Sequence, residues 1–396
     1  MKKILKTVLA GASLLSMGAV CLTSCEQSGP KAGLIALHDS NSTYDKNFID
    51  AFTAACKAKG YKAVIKTNIP ESEKAKETAA NLADSGCKFI FADSFGHEDY
   101  MISAAKEFKD VQFSHATGTK AHTEKLSNYH NAFASIYEGR YLAGVAAGLK
   151  LKEMNATKLG YVGAYPYAEV YSGYTSFYLG VKSVVADATM EVTFTGSWYD
   201  EKSEKDCANT LIQRGAKLIS QHADSMGAPT ACETAGVPNV SYNGSTKTAC
   251  PNTYLVSSKI NWQPYFEYCL DAVKNNEEIV TDYSGSLGST LYNGSVALTE
   301  IGNAAVAGTE EKLNEVASKL RDGSLKVFDT NNFKVKNPTT GEFEKLLTYL
   351  ADVDTDPSYT GDHEAIVTEN GKSYFAESEL RSAPYFDLDI EGITLL

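Results

Sequence analysis

Two α/β lobes, each built on a doubly wound parallel sheet, are predicted by three observations. Compact apolar runs of strand length alternate with longer helical segments. The alternation occurs twice over similar lengths. Polar, glycine-bearing and aromatic segments follow the strand-like runs, where open α/β sheets place their loops and ligands.

The first unit opens with Gly33–Leu37, which reads as a buried strand. A helix over Phe48–Lys59 follows, with Phe48, Phe52 and Cys56 at four-residue spacing and Gly60 as its stop. Lys62–Lys66 is a second strand, and Ser72–Asp84 a helix ended near Gly86. Cys87–Phe91 is a third strand, Glu98–Lys109 a helix, and Val111–Ser114 a fourth strand. The second unit has strands at Lys158–Val162, Glu191–Phe194, Lys217–Ser220 and Asn239–Tyr242. Helices at Ser172–Val185, Ser203–Arg214 and Ala228–Ala235 separate them. The Gly/Ser/Thr-rich stretch 243–253 reads as a crossover back to the first lobe. From about Lys326 the chain is rich in Asp, Asn, Thr, Gly and Pro. Phe343, Leu346, Leu347, Phe375, Tyr385 and Phe386 are apolar enough to pack, so short β-hairpins appended to the second lobe are expected.

Ahead of all this, Lys2, Lys3 and Lys6 precede an apolar run from Ile4 to Val20, the layout of an export signal. Leu22-Thr23-Ser24-Cys25 is similar to a bacterial lipobox, which implies cleavage before Cys25 and lipidation of that cysteine. Cys21 is the poorer candidate, because Met17 takes the aliphatic position. Two or three acyl chains anchor a protein stably where one does not. The expectation is therefore a signal peptide at 1–24, a lipidated Cys25 with a polar tether through residue 32, and a body on the extracytoplasmic face of a membrane.

The chain is 43% hydrophobic and 22% charged, ordinary for a packed protein. Its net charge of −12 is a poor match for nucleic acid or anionic lipid. Cys56, Cys87, Cys207, Cys232, Cys250 and Cys269 lack metal-site spacing, so neither metal nor cofactor is expected, and a Cys232–Cys250 disulfide stays open. No nucleophile elbow, phosphate loop, dinucleotide fingerprint or zinc-protease motif occurs, so an enzyme is not expected.

Strand ends gather His38-Asp39-Ser40-Asn41 with Thr43, Tyr44 and Asn47, then Asp93-Ser94-Phe95-Gly96, then His115 to Gly118. In the second lobe they gather the segment from Gly163 to Glu169, then Gly196 to Trp198, then Gln221 to Asp224. Aromatic faces among polar groups suit a flat heterocycle carrying hydroxyls; a base stacked on a ring gains about 1–3 kcal/mol. The same positions also suit plain turns, and Phe95 and Trp198 also suit lobe packing. Glu138 and Arg140 read as an interdomain ion pair or helix surface.

The segments Phe91-Ala-Asp-Ser-Phe-Gly96, Phe108 to Gly118, Tyr137-Glu-Gly-Arg-Tyr-Leu-Ala-Gly144, Ser220-Gln-His-Ala-Asp-Ser225 and Asn261-Trp-Gln-Pro-Tyr265 carry a resemblance over about 33–300. The chain resembles the basic membrane protein (BMP) family of substrate-binding lipoproteins of ABC importers, on its purine nucleoside branch. The tail, ending in Tyr385 to Ile393, is similar to a longer variant. The resemblance implies a type I periplasmic-binding-protein fold: two Rossmann-like lobes, a three-strand hinge and a cleft that closes on ligand. Hinge segments are expected near His130–Ala134, Asn252–Val256 and Tyr283–Ser289. The lobes would comprise 33–132 plus 254–285, and 133–253 plus 286–396.

By the same resemblance Tyr44 stands at a stacking position, with Asp45 and Asn47 near purine-edge contacts. Asp39-Ser40 replaces a pair of adjacent acids with a one-residue length change, which leaves free base and nucleoside both open. The expected ligand set is Tyr44, Phe95 and Trp198 for stacking, and Asp39, Asn47, Ser94, His222, Asp224 and Asn243 for hydrogen bonds, with Glu169 at the same edge. The implied partners are a purine nucleoside or nucleobase and an ABC permease with its ATPase, served by a monomer. A ligand sensor, a riboflavin receptor and a nucleoside hydrolase are the alternatives.

Overall fold

The computed structural model describes residues 29–287, 294–353 and 363–396. The expected signal peptide and Cys25 lie outside the described residues. Strands β1 (Lys31–Ile35), β2 (Lys62–Lys66), β3 (Cys87–Ala92), β4 (Gln112–Ala116) and β5 (Tyr129–Ala134) come first. β6 (Lys158–Gly163), β7 (Thr189–Phe194), β8 (Ile219–Gln221), β9 (Asn239–Tyr242) and β10 (Tyr254–Ile260) follow, then β11 (Asp282–Gly285) and β12 (Val296–Leu298). The helices are α1 (Thr43–Lys59), α2 (Glu73–Asp84), α3 (Glu98–Glu107), the short α4 (Ala121–Glu124), α5 (Ile136–Glu153), α6 (Ala168–Lys182), α7 (Glu201–Gln213), α8 (Gly227–Ala235), α9 (Gln263–Asn275) and α10 (Thr309–Arg321).

The first sheet has the order β11-β5-β4-β3-β1-β2, and all its pairs are parallel. The second runs β12-β10-β9-β8-β6-β7, with the terminal strand Ile393–Leu395 beyond β7; only β12 is antiparallel. Helices cover both faces of a parallel sheet, so the inner strands are near-continuous apolar runs. Phe89, Ile90, Phe91 and Ala92 of β3 are fully buried.

α1 starts where its sequence lets it. The Ser42 hydroxyl accepts the Asp45 N–H as N-cap, and Gly60 closes the helix with φ 76°. β1 begins at Lys31, so the tether is shorter than expected: Ala32 already pairs with Ala63 and is buried.

The chain crosses between lobes three times: after β5, after β10 and after β11. The second crossing corrects the expected one. β10 pairs with β9 and β12, so residues 254–260 belong to the second sheet and not the first lobe. The crossing falls at Asn261–Trp262, where Pro264 at the helix start opens α9. Of the third expected hinge segment, residues 288 and 289 lie outside the described residues.

The tail forms three two-stranded ribbons. Phe328 stacks on Phe386 at 4.6 Å, and Leu346, Phe375 and Tyr385 are buried. Phe343 and Leu347 do not pack as expected: Phe343 stands exposed on a ribbon strand, and Leu347, in the loop that follows, is 71% exposed. The six described cysteines are free thiols, so no disulfide joins Cys232 to Cys250.

Candidate functional site

The carboxyl ends of both sheets face one cleft, and the lobes meet across it. The Thr43 N–H and hydroxyl at the start of α1 both reach the Asp224 carbonyl of the other lobe, at 3.0 and 3.3 Å. Phe95, after β3, lies 5.3 Å from Tyr167, after β6. His38 lies 5.4 Å from Tyr199. The arrangement is a closed one.

The cleft is lined by Leu37, Tyr44, Asp45, Ser94, Phe95, Thr117, Glu169, Trp198, His222, Asp224 and Tyr242. Seven of the ten expected contacts meet here: Tyr44, Ser94, Phe95, Glu169, Trp198, His222 and Asp224.

The other three do not line this cleft, each for a local reason. Asp39 accepts the Asn41 N–H at 2.9 Å, which is turn chemistry. Asn47 sits one helical turn beyond Tyr44 and donates its amide to the Ile260 carbonyl at 2.7 Å, tying α1 to the second crossing. Asn243 is buried with φ 60° and lines a neighbouring groove; neither side-chain amide atom finds a protein partner. Sequence reading left Leu37, Thr117 and Tyr242 out of the site. Asp93 was seen at a strand end but not selected, and its unpartnered oxygen had no signal in sequence.

Rings from both lobes shape the mouth. Tyr165 stacks on Tyr167 at 5.1 Å, and Trp198 stands edge-on to Tyr165 at 5.2 Å. Phe95 is 40% exposed and so presents a face as well as packing. Tyr44 donates its hydroxyl to the Asp93 carbonyl at 2.8 Å, which orients the ring.

The floor is acidic. Asp45 accepts from the Ser42 hydroxyl at 2.6 Å and the His38 N–H at 2.7 Å. Burial works to raise its pKa, but these bonds with the His38 ring outweigh that and hold it low. Asp93 accepts the Leu37 N–H at 3.1 Å with one oxygen and has no partner for the other. Burial first, then the Asp45 charge, pushes its pKa well up. Burial and Asp45 likewise raise Asp224, whose side chain makes no hydrogen bond to the described residues. With the proton that burial favours, Asp93 and Asp224 donate as well as accept, so the floor suits a ligand that carries both donors and acceptors.

Glu169 and His222 pair at 3.1 Å. Burial, then the Arg140 charge, holds His222 down to about 4, so its ring is neutral. Arg140 is neither surface nor ion-paired to Glu138, contrary to the sequence reading. It is 1% exposed with its guanidinium 3.4 Å over the Tyr242 ring, while Glu138 accepts the Leu287 N–H at 2.9 Å.

Residues 35–330 match the family model Bmp, described as ABC transporter substrate-binding protein PnrA-like. A purine-binding protein of Brucella abortus (strain 2308) is 37% identical over 199 residues, 50% of this chain and 55% of that one. TsgA13 of Haloferax volcanii, an ABC transporter protein whose name gives glucose as its ligand, is 35% identical over 46% of this chain and 45% of its own. The chain thus spans about half the length of these curated relatives. A solved ABC transporter solute-binding protein from Conexibacter woesei superposes with a TM-score of 0.62 at 21% identity, covering 75% of this chain and 97% of that one.

Proposed function

The chain belongs to the Bmp family of ABC transporter substrate-binding proteins, and from that premise we propose that it captures a purine nucleoside or nucleobase for uptake. One observation carries the reading. Rings from both lobes (Tyr44 and Phe95, Trp198 and Tyr167) surround a cleft whose lining includes the carboxyl groups of Glu169 and Asp224. Rings take the faces of a heterocycle, and carboxylates take its N–H edge or the hydroxyls of a sugar in charge-assisted bonds. A phosphorylated ligand meets like charge here and is disfavoured.

Binding works by closure. Tyr44, Phe95 and Asp93 belong to one lobe, and Glu169, Trp198 and Asp224 to the other. A ligand touching both sets therefore binds the closed form better than the open one, and the population shifts accordingly. The closed form then presents both lobes together to an ABC permease with its ATPase. We place the protein on the extracytoplasmic face, held there through lipidated Cys25.

Calorimetry on the detergent-solubilised full chain, stripped of carried-over ligand, tests the reading. The titrants are adenine, hypoxanthine, adenosine, inosine, adenosine monophosphate, riboflavin and glucose. Binding of nucleosides but not bases means that the carboxylates read the sugar. Binding of bases alone means that the rings and the polar edge of the cleft suffice without a sugar. Binding of riboflavin or glucose with no purine bound sinks the purine reading. Release of free base from adenosine makes the protein a hydrolase.

A further inference from the structure

We infer that Arg140 is a positioning residue for the cleft: beneath Tyr242 and behind His222, it keeps a second proton off the His222 ring, whose Nε2–H already points at Glu169, and so holds Glu169 as an acceptor for ligand. This rests on the reading of the cleft as the ligand site.

The geometry comes from four elements. Arg140 lies on the second turn of α5, fully inside the second lobe. Its guanidinium lies 3.4 Å over the Tyr242 ring, at the end of β9. Nη1 donates to the Gln221 carbonyl at 3.0 Å, the peptide that leads into His222. Among the described residues Nε and Nη2 have no hydrogen-bond partner, and no carboxylate pairs with the cation. The His222 ring lies 4.8 Å from the same Tyr242 ring.

The groups that face His222 then determine its proton. Glu169 of α6 is 3.1 Å from Nε2, and Tyr161 of β6 is 3.3 Å from Nδ1. Gly173, one turn beyond Glu169, leaves room for the ring: a Cβ there would lie 2.7 Å from Nδ1. The Tyr242 ring is tilted against that of His222 at 60°, and Asp224 follows two residues on. A carboxylate only accepts, so Nε2 carries the hydrogen and Nδ1 accepts the Tyr161 hydroxyl. The fixed positive charge of Arg140 opposes a second proton on the ring. Both nitrogens are therefore used inside the protein. His222 is an orienting group, and the ligand-facing group is the other oxygen of Glu169.

Without Arg140, His222 gains a proton more readily and forms an ion pair with Glu169. Glu169 becomes a weaker acceptor for ligand, and affinity becomes dependent on pH.

Ring nitrogen NMR of the full chain in detergent, with the His222 signal assigned from His222→Gln, reads this with no ligand present. In the unsubstituted protein His222 should show the Nε2–H tautomer and stay neutral down to about pH 5. In Arg140→Gln its titration should move up toward the ordinary imidazole range, with burial alone left to oppose the proton. Arg140→Lys, which keeps the charge, should leave it neutral. An Nδ1–H tautomer in the unsubstituted protein overturns the inference without any variant having to fold. So does an Arg140→Gln protein whose His222 titrates where that of the unsubstituted protein does. Adenosine titration supplies the second readout. Its affinity should be level between pH 7.5 and 5.5 in the unsubstituted chain and fall about tenfold in Arg140→Gln. Arg140→Gln/His222→Gln should restore the level profile. A level profile in Arg140→Gln overturns the coupling to Glu169. If the NMR behaves as stated but no purine binds, the purine reading fails and the His222 assignment stands.

Discussion

The cleft carboxylates are held at a cost to the folded chain. Asp224 is buried beside Asp45 and makes no hydrogen bond to the described residues, so its charged form is disfavoured. Asp224→Asn should weaken purine binding about tenfold or more by calorimetry, since one charge-assisted bond accounts for that much. In the ligand-free state it should raise the melting temperature, because the folded chain no longer has to bury a carboxyl that the unfolded chain leaves ionised in water. Unchanged affinity removes Asp224 from the site. Gly173 shows a different constraint: it is glycine because the His222 ring occupies the space of a Cβ. Gly173→Ala should displace His222 and Glu169 and weaken binding, with normal secondary structure by circular dichroism. Neither role is visible in sequence, where Gly173 is one helix residue among many.

At the scale of elements, α1 carries the most. Its first turn brings Tyr44 and Asp45 to the cleft, and its leading N–H closes on the Asp224 carbonyl. Ser42 caps it and also donates to Asp45 at 2.6 Å. Ser42→Ala should cost about 1 kcal/mol in chemical denaturation, by loss of the cap. It should also loosen Asp45 and lower affinity; a change in stability alone would confine Ser42 to capping. α5 and α6 pack through glycine: a Cβ on Gly144 would run into the Phe177 carbonyl, and one on Gly180 into the Tyr141 carbonyl. This close approach sets Arg140 and Glu169, one on each helix, on opposite sides of His222.

Across the whole molecule, buried titratable groups shape the response to acid. Burial holds His97, His130 and His222 down to about 4, from an ordinary 6.5. As pH falls through that interval the unfolded chain takes protons that the folded one refuses, and stability is lost. Burial lifts Glu138, Glu204 and Glu377 to about 7, from an ordinary 4.5. There the folded chain takes protons first, so acidification between about 7 and 4.5 adds stability. The two sets oppose each other over most of the range. Urea midpoints should be nearly level between about pH 4.5 and 6.5 and fall below 4.5, where the histidines and the low-lying Asp45 carboxylate lose stability together. A midpoint that climbs steadily from pH 5 to 7.5 would show that the glutamates are not lifted.

The sequence by itself determined the alternation of strands and helices, because apolar runs, spacing and stops such as Gly60 are local properties. It also determined which loops carry the chemistry, since parallel strands put their carboxyl ends on one side. Within those loops, only the tertiary structure decided which residue faces the cleft. Asp39 and Asn47 sit at the expected positions, but a turn claims one and a helical rotation directs the other to Ile260. The strand over 254–260 looks the same from either lobe, and only its pairing with β9 and β12 assigns it. Arg140 is the clearest case. Its place beneath Tyr242 depends on two helices meeting at their glycines and on a strand more than a hundred residues later. Contacts at that separation are set by packing, which local sequence does not encode.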